Sequence, residues 1–239
     1  MTYKNFNSRE QFIRHLNLYH YDKDQKQQEF ITIPNFVNGF DKELQDIKNN
    51  LEVIKFTWNN QSITQIEQII SKQGQLHLDI MQGQKNDKLD AGYDPDAPMY
   101  RVHNCNSDSV FFNLGQTLGL ENAVARYHVQ FPGEVTIFHT DIFSPAHEFL
   151  PEYLKNLPEE QIGQDVGLRR VLISLEDWEW GQVMMFGAQS WSQWKAGDLI
   201  FWDYGVPHCS SNMGYHPRIS VSITGLATDK FFDRIKHGK

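Results

Sequence analysis

The stretch "EVTIFHTD", residues 134–141, has the pattern of an apolar strand that ends in an HxD triplet. Because side chains i and i+2 of a strand lie on the same side of it, His139 and Asp141 are two neighbouring candidates for binding one metal ion. The triplet alone is a weak signal, since the chain has ten His and contains the same pattern at His20–Asp22 and His77–Asp79. The sequence that surrounds each triplet is therefore needed to decide which of the three is a candidate metal site.

The surroundings favour the third triplet. His20–Asp22 lies between a helical pattern and a Lys/Gln/Asp-rich linker, which is typical of a solvated loop. His77–Asp79 alternates with apolar residues in "QLHLDIMQ", which is typical of the polar outer face of a half-buried strand. His139–Asp141 instead ends a clean apolar strand pattern, and His208 follows His139 by 69 residues, enough for several returning strands, in "AGDLIFWDYGVPHCSSN". Two His and one carboxylate on one face are the ligand set of non-haem Fe(II) oxygenases, so we predict that His139, Asp141 and His208 bind a metal.

The last strand-like run, "HPRISVSITG", places polar side chains on one face and apolar side chains on the other. Arg218, Ser220, Ser222 and Thr224 share the polar face. Taken alone, this pattern favours a strand whose polar face meets water. Together with the HxD triplet and His208, it favours a strand that lines a polar interior, where Arg218 and Ser220 bind a carboxylate.

Composition sets the class of protein. The chain has 239 residues, of which 40% are hydrophobic and 22% charged, and this predicts one globular domain with a substantial core. The net charge of −8 disfavours a nucleic-acid-binding partner. Two distant cysteines predict a reducing compartment, and we find neither a signal-peptide pattern nor a long apolar run. We therefore expect a cytoplasmic protein with no membrane partner; its oligomeric state is left open.

The distribution of patterns predicts a mainly β fold with flanking helices. Helical patterns cover 8–19, 41–53, 62–73, 145–157 and 228–237, and a polar loop covers 82–98, which is either a lid or an irregular excursion. Strand patterns cover 29–40, 123–131, 135–141, 169–176, 181–187, 191–202 and 216–227. We expect a single domain, 1–239, with a helical and mixed N-terminal support (1–121), a double-stranded β-helix or jelly-roll core (122–227) and a C-terminal helix (228–239). No role is predicted for the insert at 143–167.

The region from Tyr127 to Thr224 resembles the Fe(II)/2-oxoglutarate-dependent dioxygenase superfamily. The shared motif is His139-x-Asp141, then His208, then Arg218-x-Ser220. The stretch "ARYHVQFPGEVTIFHTD" is similar to prolyl-hydroxylase-type members, in which an Arg-Tyr pair and a Gly precede the HxD triplet. "GQVMMFG" and "WKAGDLIFWDYGVPH" resemble the later strands of that subgroup.

The resemblance implies a chemistry and a set of roles. His139, Asp141 and His208 would hold Fe(II), Arg218 and Ser220 would bind the distal carboxylate of 2-oxoglutarate, and Tyr127 would also contact this cosubstrate. O2 would be consumed, and hydroxylation of a substrate C–H bond would release succinate and CO2. The presence of Asp141 favours hydroxylation, because related halogenases lack this carboxylate.

The substrate implied is a prolyl or other amino-acid side chain, free or in a peptide, or a small metabolite. Pocket candidates are Arg126, His128, Trp178, Trp180 and Trp202. Two alternatives stay open: a cupin-type metalloenzyme that needs no 2-oxoglutarate, and a jelly-roll binding module without catalysis. The Arg-x-Ser pair disfavours the first, and the complete metal triad disfavours the second.

Overall fold

Two antiparallel sheets form the body of the molecule. The computed structural model describes residues 30–34, 36, 76–77, 100–104, 110–139, 167–203 and 206–237. The strands within them are β1 (Phe30–Ile33), β2 (Leu76–His77), β3 (Arg101–Asn104), β4 (Leu120–Gln130), β5 (Leu168–Ser174), β6 (Gln182–Phe186), β7 (Gln189–Trp191), β8 (Leu199–Trp202), β9 (His208–Asn212) and β10 (Arg218–Ala227), and the helices are α1 (Val110–Leu118) and α2 (Asp229–His237).

The strand order is that of a double-stranded β-helix. The large sheet has the order β1-β8-β5-β10-β4-β3-β2, and the small sheet has the order β7-β6-β9. The segment 135–139 extends the small sheet, because Val135 and His139 form single bridges with Ser211 and His208 of β9. From β4 onward the chain therefore passes back and forth between the two sheets, as in a jelly roll. The predicted fold class is confirmed.

The outer face of the large sheet is apolar and lies under the two helices. Ile219, Val221 and Ile223 of β10 are buried there and pack in one cluster with residues of α1 and α2. Each fully buried aliphatic side chain of this kind stabilises the fold by roughly 1.5–3 kcal/mol. Because side chains alternate along β10, its polar residues point to the opposite face, away from the helices.

The inner face, which the small sheet covers, has an apolar half and a polar half. Strands β5, β6 and β8 contribute the apolar half, a cluster that includes Leu172, Phe186 and Trp202. Strands β4, β9 and β10 contribute the polar half, and the side chains Arg218, Ser220, Ser222 and Thr224 are all buried within it. The polar face of β10 consequently lines the interior, and the interpretation that it meets water is excluded.

The other predicted elements have mixed outcomes. The predicted strand at 29–40 contains β1, and the predicted C-terminal helix is α2. Helix α1 and strand β3 were not predicted, and the run 191–202 begins at the end of β7 and finishes with β8. The predicted helices at 8–19, 41–53, 62–73 and 145–157 and the loop at 82–98 lie outside the described residues.

Strands from the predicted N-terminal support belong to the large sheet. β1 pairs with β8, and β3 pairs with β4. The large sheet therefore includes strands from both sides of the boundary expected near residue 121. The prediction of a single domain stays a prediction. No helix of the described residues is long and apolar enough to span a membrane.

Two turns at one end of the interior are in direct backbone contact. Gly181 has a positive φ of 91°, and a Cβ added to it would lie 2.5 Å from the Gly214 nitrogen and 2.6 Å from the Met213 carbonyl carbon. The Gly214 N–H in turn donates to Asn212 Oδ1 at 3.0 Å. Only glycine at position 181 allows these two turns to meet.

We expect Gly181→Ala to destabilise the fold more than Gly133→Ala. Both glycines have a positive φ, so both alanines pay roughly 1–2 kcal/mol for left-handed backbone. A Cβ at Gly133 would meet no described atom within 4 Å, whereas a Cβ at Gly181 collides with backbone, which adds at least about 1 kcal/mol. Denaturant unfolding of the two variants measures the difference, and equal losses would contradict the contact.

Candidate metal and anion site

The two predicted histidine ligands are direct neighbours across the small sheet. The His139 N–H donates to the His208 carbonyl at 3.0 Å, and the His208 N–H donates to the His139 carbonyl at 2.8 Å. This is a hydrogen-bonded antiparallel pair, so both side chains leave the sheet on the same face. Their ring centroids are 4.4 Å apart. The structure therefore brings together two residues that are far apart in the sequence.

Both rings are held in the form that binds metals. His139 Nδ1 lies 2.8 Å from the carbonyl oxygen of Ile137, and His208 Nδ1 lies 3.0 Å from the carbonyl oxygen of Val206. A carbonyl oxygen only accepts hydrogen bonds, so each Nδ1 carries a proton, and in the neutral ring the lone pair is then on Nε2. Fixing the tautomer through Nδ1 and a carbonyl is the usual support of a metal-ligating histidine.

Aromatic side chains form a dry wall beside His208. The Trp202 ring centroid lies 4.9 Å from that of His208, and the Phe186 centroid lies 6.0 Å away. His208 is 4% exposed, and its neighbour Cys209 points to the other face of β9. Burial raises the pKa of the Cys209 thiol to about 11, so it is protonated at neutral pH and is a poor metal ligand.

The predicted carboxylate ligand, Asp141, lies outside the described residues. Within the described part of the chain no three His, Cys, Asp or Glu side chains form a metal-binding group. The histidine pair is thus in place, and the third ligand stays a prediction from the HxD spacing.

Arg218 lies in the same polar interior, with hydrogen-bond donors that no described residue satisfies. Its side chain is 7% exposed, and its Nε and Nη1 and the Ser220 Oγ are buried without a hydrogen-bond partner among the described residues. Buried donors of this kind each cost about 1–3 kcal/mol. The residues therefore fit an oxyanion, which accepts from a guanidinium and a hydroxyl at once.

Burial also acts on the charge of Arg218. It lowers the pKa of Arg218 to about 10, while the nearby negative charge of Glu176 acts to raise it. The folded pKa lies below the ordinary value, so the buried charge costs stability at neutral pH, and the cost is relieved only as pH rises through about 10. Glu176 is itself buried, and its Oε1 accepts from the Ile219 N–H at 2.8 Å. The negative charge of Glu176 therefore offsets only part of the cost of burying the Arg218 charge.

Buried polar residues of three segments tie this region together. Gln130 Nε2 donates to Ser210 Oγ at 3.3 Å, and Asn212 Nδ2 donates to the Gln130 carbonyl at 2.8 Å. Thr136 Oγ1 accepts from the Ser210 N–H at 2.6 Å. These bonds join β4, the segment 135–139 and β9. Buried amides and hydroxyls on alternating positions were the signal available in the sequence.

Tyr127 lies on the opposite face of the large sheet from Arg218. Its cross-strand partner is Val221, on the outer face, and its ring packs edge-to-face on Phe111 of α1 with centroids 5.8 Å apart. The structure thus does not support the predicted contact of Tyr127 with the cosubstrate. Alternation along β4 turns Arg126 and His128 inward in its place.

The three tryptophans predicted to line a pocket lie in different environments. Trp202 lies in the interior beside His208. Trp178 is half-buried, and its indole N–H donates to the Gln182 carbonyl at 2.6 Å. Trp180 is 82% exposed on a turn, so it does not line the interior.

The comparisons with known proteins give loose structural likenesses only. No family model and no curated protein matches the chain. A prolyl-4-hydroxylase structure from Pseudomonas putida is 18% identical, with a TM-score of 0.37, over 64% of this chain and 89% of that one. A Cupin 2 conserved barrel domain protein from Salinispora arenicola is 11% identical, with a TM-score of 0.31, over 59% and 85%. A predicted oxalate decarboxylase from Thermotoga maritima is 17% identical, with a TM-score of 0.32, over 53% and 80%. None of these matches identifies an activity.

We expect Glu176→Gln to lower the free energy of unfolding by roughly 0.5–3 kcal/mol at neutral pH, because it removes the negative charge that offsets the buried Arg218. Glutamine keeps an acceptor for the Ile219 N–H, so the loss isolates the charge that offsets Arg218. Chemical denaturation measures the loss, and the matched background is Arg218→Met. In that background the substitution should cost less, because no buried cation remains; an equal cost would show that the two charges are not coupled.

Proposed function

We propose that the chain is an Fe(II)- and 2-oxoglutarate-dependent oxygenase that hydroxylates an unactivated C–H bond. One observation carries the proposal: the unsatisfied donors of Arg218 and Ser220 lie in the same polar interior as the carbonyl-anchored pair His139 and His208. A buried anion subsite beside two imidazoles suits a cosubstrate that has both a metal-chelating end and a distal carboxylate.

Each of these residues has a distinct role in the proposal. His139 and His208 hold Fe(II) through Nε2, and Asp141 supplies the third ligand. The bound iron and 2-oxoglutarate supply oxidative decarboxylation by O2, which yields succinate, CO2 and the oxidising power for hydroxylation. Arg218 and Ser220 bind the distal carboxylate and thereby fix the orientation of the cosubstrate. Phe186 and Trp202 exclude water beside His208.

The substrate is proposed to be an amino-acid side chain, free or within a peptide, or a small metabolite. The net charge of −8 suits these classes better than nucleic acid. A cupin-type enzyme without 2-oxoglutarate has no need of the buried donors of Arg218 and Ser220, and a binding module without catalysis has no need of the carbonyl-anchored histidine pair.

Anaerobic titration of the metal-free protein with Fe(II) and 2-oxoglutarate should produce the visible charge-transfer band of the iron chelate. We expect His139→Ala to abolish the band, because it removes a ligand. His77→Ala alters the histidine of another HxD triplet and should retain the band, so it is the matched control.

Either of two outcomes would overturn the proposal. One is the absence of a band in protein that circular dichroism shows to be folded. The other is a band that His139→Ala leaves intact, which would place the iron elsewhere.

Thermal unfolding tests the anion subsite without turnover. 2-Oxoglutarate at about 100 times its dissociation constant stabilises the native state by about 2.7 kcal/mol, which raises Tm by several degrees. 2-Oxobutyrate keeps the keto-acid end but lacks the distal carboxylate, so it should raise Tm much less. Arg218→Gln should remove the difference between the two ligands, and Ser220→Ala should reduce it. Equal shifts from both ligands in the unaltered protein would contradict the role of Arg218.

A further inference from the structure

Two more arginines line the interior, on the strands that flank β10. Arg126 of β4 is the cross-strand partner of Ser222, and Arg170 of β5 is the cross-strand partner of Thr224. Both occupy inward positions of the large sheet, on the face shared by Leu172 and Ser222, and both are half-buried. Neighbouring strands are about 4.8 Å apart, so the two backbones flank β10 at about 10 Å, within reach of one small ligand.

These arginines lie far from the subsite of Arg218. Ser222 and Thr224 follow Arg218 by four and six residues, which is roughly 13 and 20 Å along the strand. Val171 pairs with Phe201 in the antiparallel register of β5 and β8, so the preceding residue, Arg170, lies opposite Trp202. The Trp202 ring in turn contacts the ring of His208. The two arginines therefore belong to the histidine end of the interior.

Neighbouring groups hold this part of the sheet in a defined arrangement. Arg170 Nε donates to Thr224 Oγ1 at 3.0 Å. Ser222 Oγ and His128 Nε2 are 2.8 Å apart, and Tyr100 stacks on His128 with ring centroids 4.9 Å apart. The inward-facing hydroxyls are thus positioned by hydrogen bonds on both sides of β10.

Arg169, which precedes Arg170 in β5, has a structural role. It points to the outer face, where its Nε lies 3.1 Å from Asp203 Oδ1 and its guanidinium lies 5.5 Å from the centre of the Phe232 ring. A packing role and a charge partner account for it. Arg126 and Arg170 lie on the opposite, inner face, where they place two cations in the interior of an acidic protein, and two guanidiniums are suited to binding one oxyanion from two sides.

We infer that Arg126 and Arg170 bind an oxyanion of the substrate, a carboxylate or a phosphate, at the histidine end of the interior. This inference rests on the proposed function, since it names the substrate class of the same site. The anion is distinct from the distal carboxylate of the cosubstrate, which belongs to Arg218.

The test is ligand-detected NMR on the metal-free protein with probes matched in shape. N-acetylglutamate is compared with N-acetylglutamine, and N-acetyl-O-phosphoserine with N-acetylserine. We expect one or both anionic probes to bind at least tenfold more tightly than their neutral counterparts. Arg126→Gln and Arg170→Gln should each weaken that binding about tenfold. Arg126→Lys and Arg170→Lys should restore part of it, which a purely structural role would not.

Lys195→Gln is the control for net charge, because Lys195 is exposed and pairs with Asp177 on the surface. It should leave probe binding unchanged, and circular dichroism should confirm that every variant is folded. Preference for the carboxylate or for the phosphate probe identifies the source of the oxyanion. Equal binding of anionic and neutral probes, or unchanged binding in both glutamine variants, overturns the inference.

The charge-transfer titration separates this result from the proposed function. Arg126→Gln and Arg170→Gln should retain the band of Fe(II) and 2-oxoglutarate, since neither residue belongs to that subsite. If the unaltered protein gives no band but still binds the anionic probes through these arginines, the oxygenase proposal falls and the anion site stands. If the band forms and no probe discriminates, the anion site falls alone.

Discussion

The reciprocal backbone hydrogen bonds between His139 and His208 are the constraint on which the site depends. They make two distant residues cross-strand neighbours, so the separation of the imidazoles is set by sheet geometry rather than by flexible side chains. The carbonyl groups of Ile137 and Val206 then fix the ring tautomers from within the same strands. Position and ring tautomer are thus both determined by the backbone.

The division of the interior into two halves explains how such a site is compatible with a stable fold. The cluster that contains Leu172, Phe186 and Trp202 supplies apolar burial on one side. The polar half can then keep buried Arg218 donors that have no partner in the described part of the chain, at a cost of a few kcal/mol, because stability is secured elsewhere. The negative charge of Glu176 limits this cost. A ligand that completes the hydrogen bonds of Arg218 therefore binds a preformed and electrostatically strained site.

Much of this arrangement could be predicted from alternation and residue order. The sequence showed that Arg218 shares a face with Ser220, but whether that face meets water depends on a second sheet, which local pattern does not encode. Alternation also places Tyr127 on the outer face, because a motif match identifies the strand but not which of two neighbouring residues points inward. Helix α1 was missed because its apolar run is as compatible with a buried strand as with a helix.

The order of groups along the interior constrains how a substrate would lie. Ser210, next but one to His208, contacts Gln130, which is the cross-strand partner of Arg218. Trp202 contacts His208 from the side of Arg170. The histidine pair therefore lies between the anion subsite of Arg218 and the proposed one of Arg126 and Arg170. Under the proposed function, a substrate anchored at Arg126 and Arg170 would present its chain toward the metal from the side opposite the cosubstrate carboxylate. Both proposed subsites are cationic, so charge alone would not keep the cosubstrate and the substrate in their own subsites. Distance and shape would have to do so. The aromatic wall of Trp202 and Phe186 beside His208 therefore matters for orientation as well as for the exclusion of water.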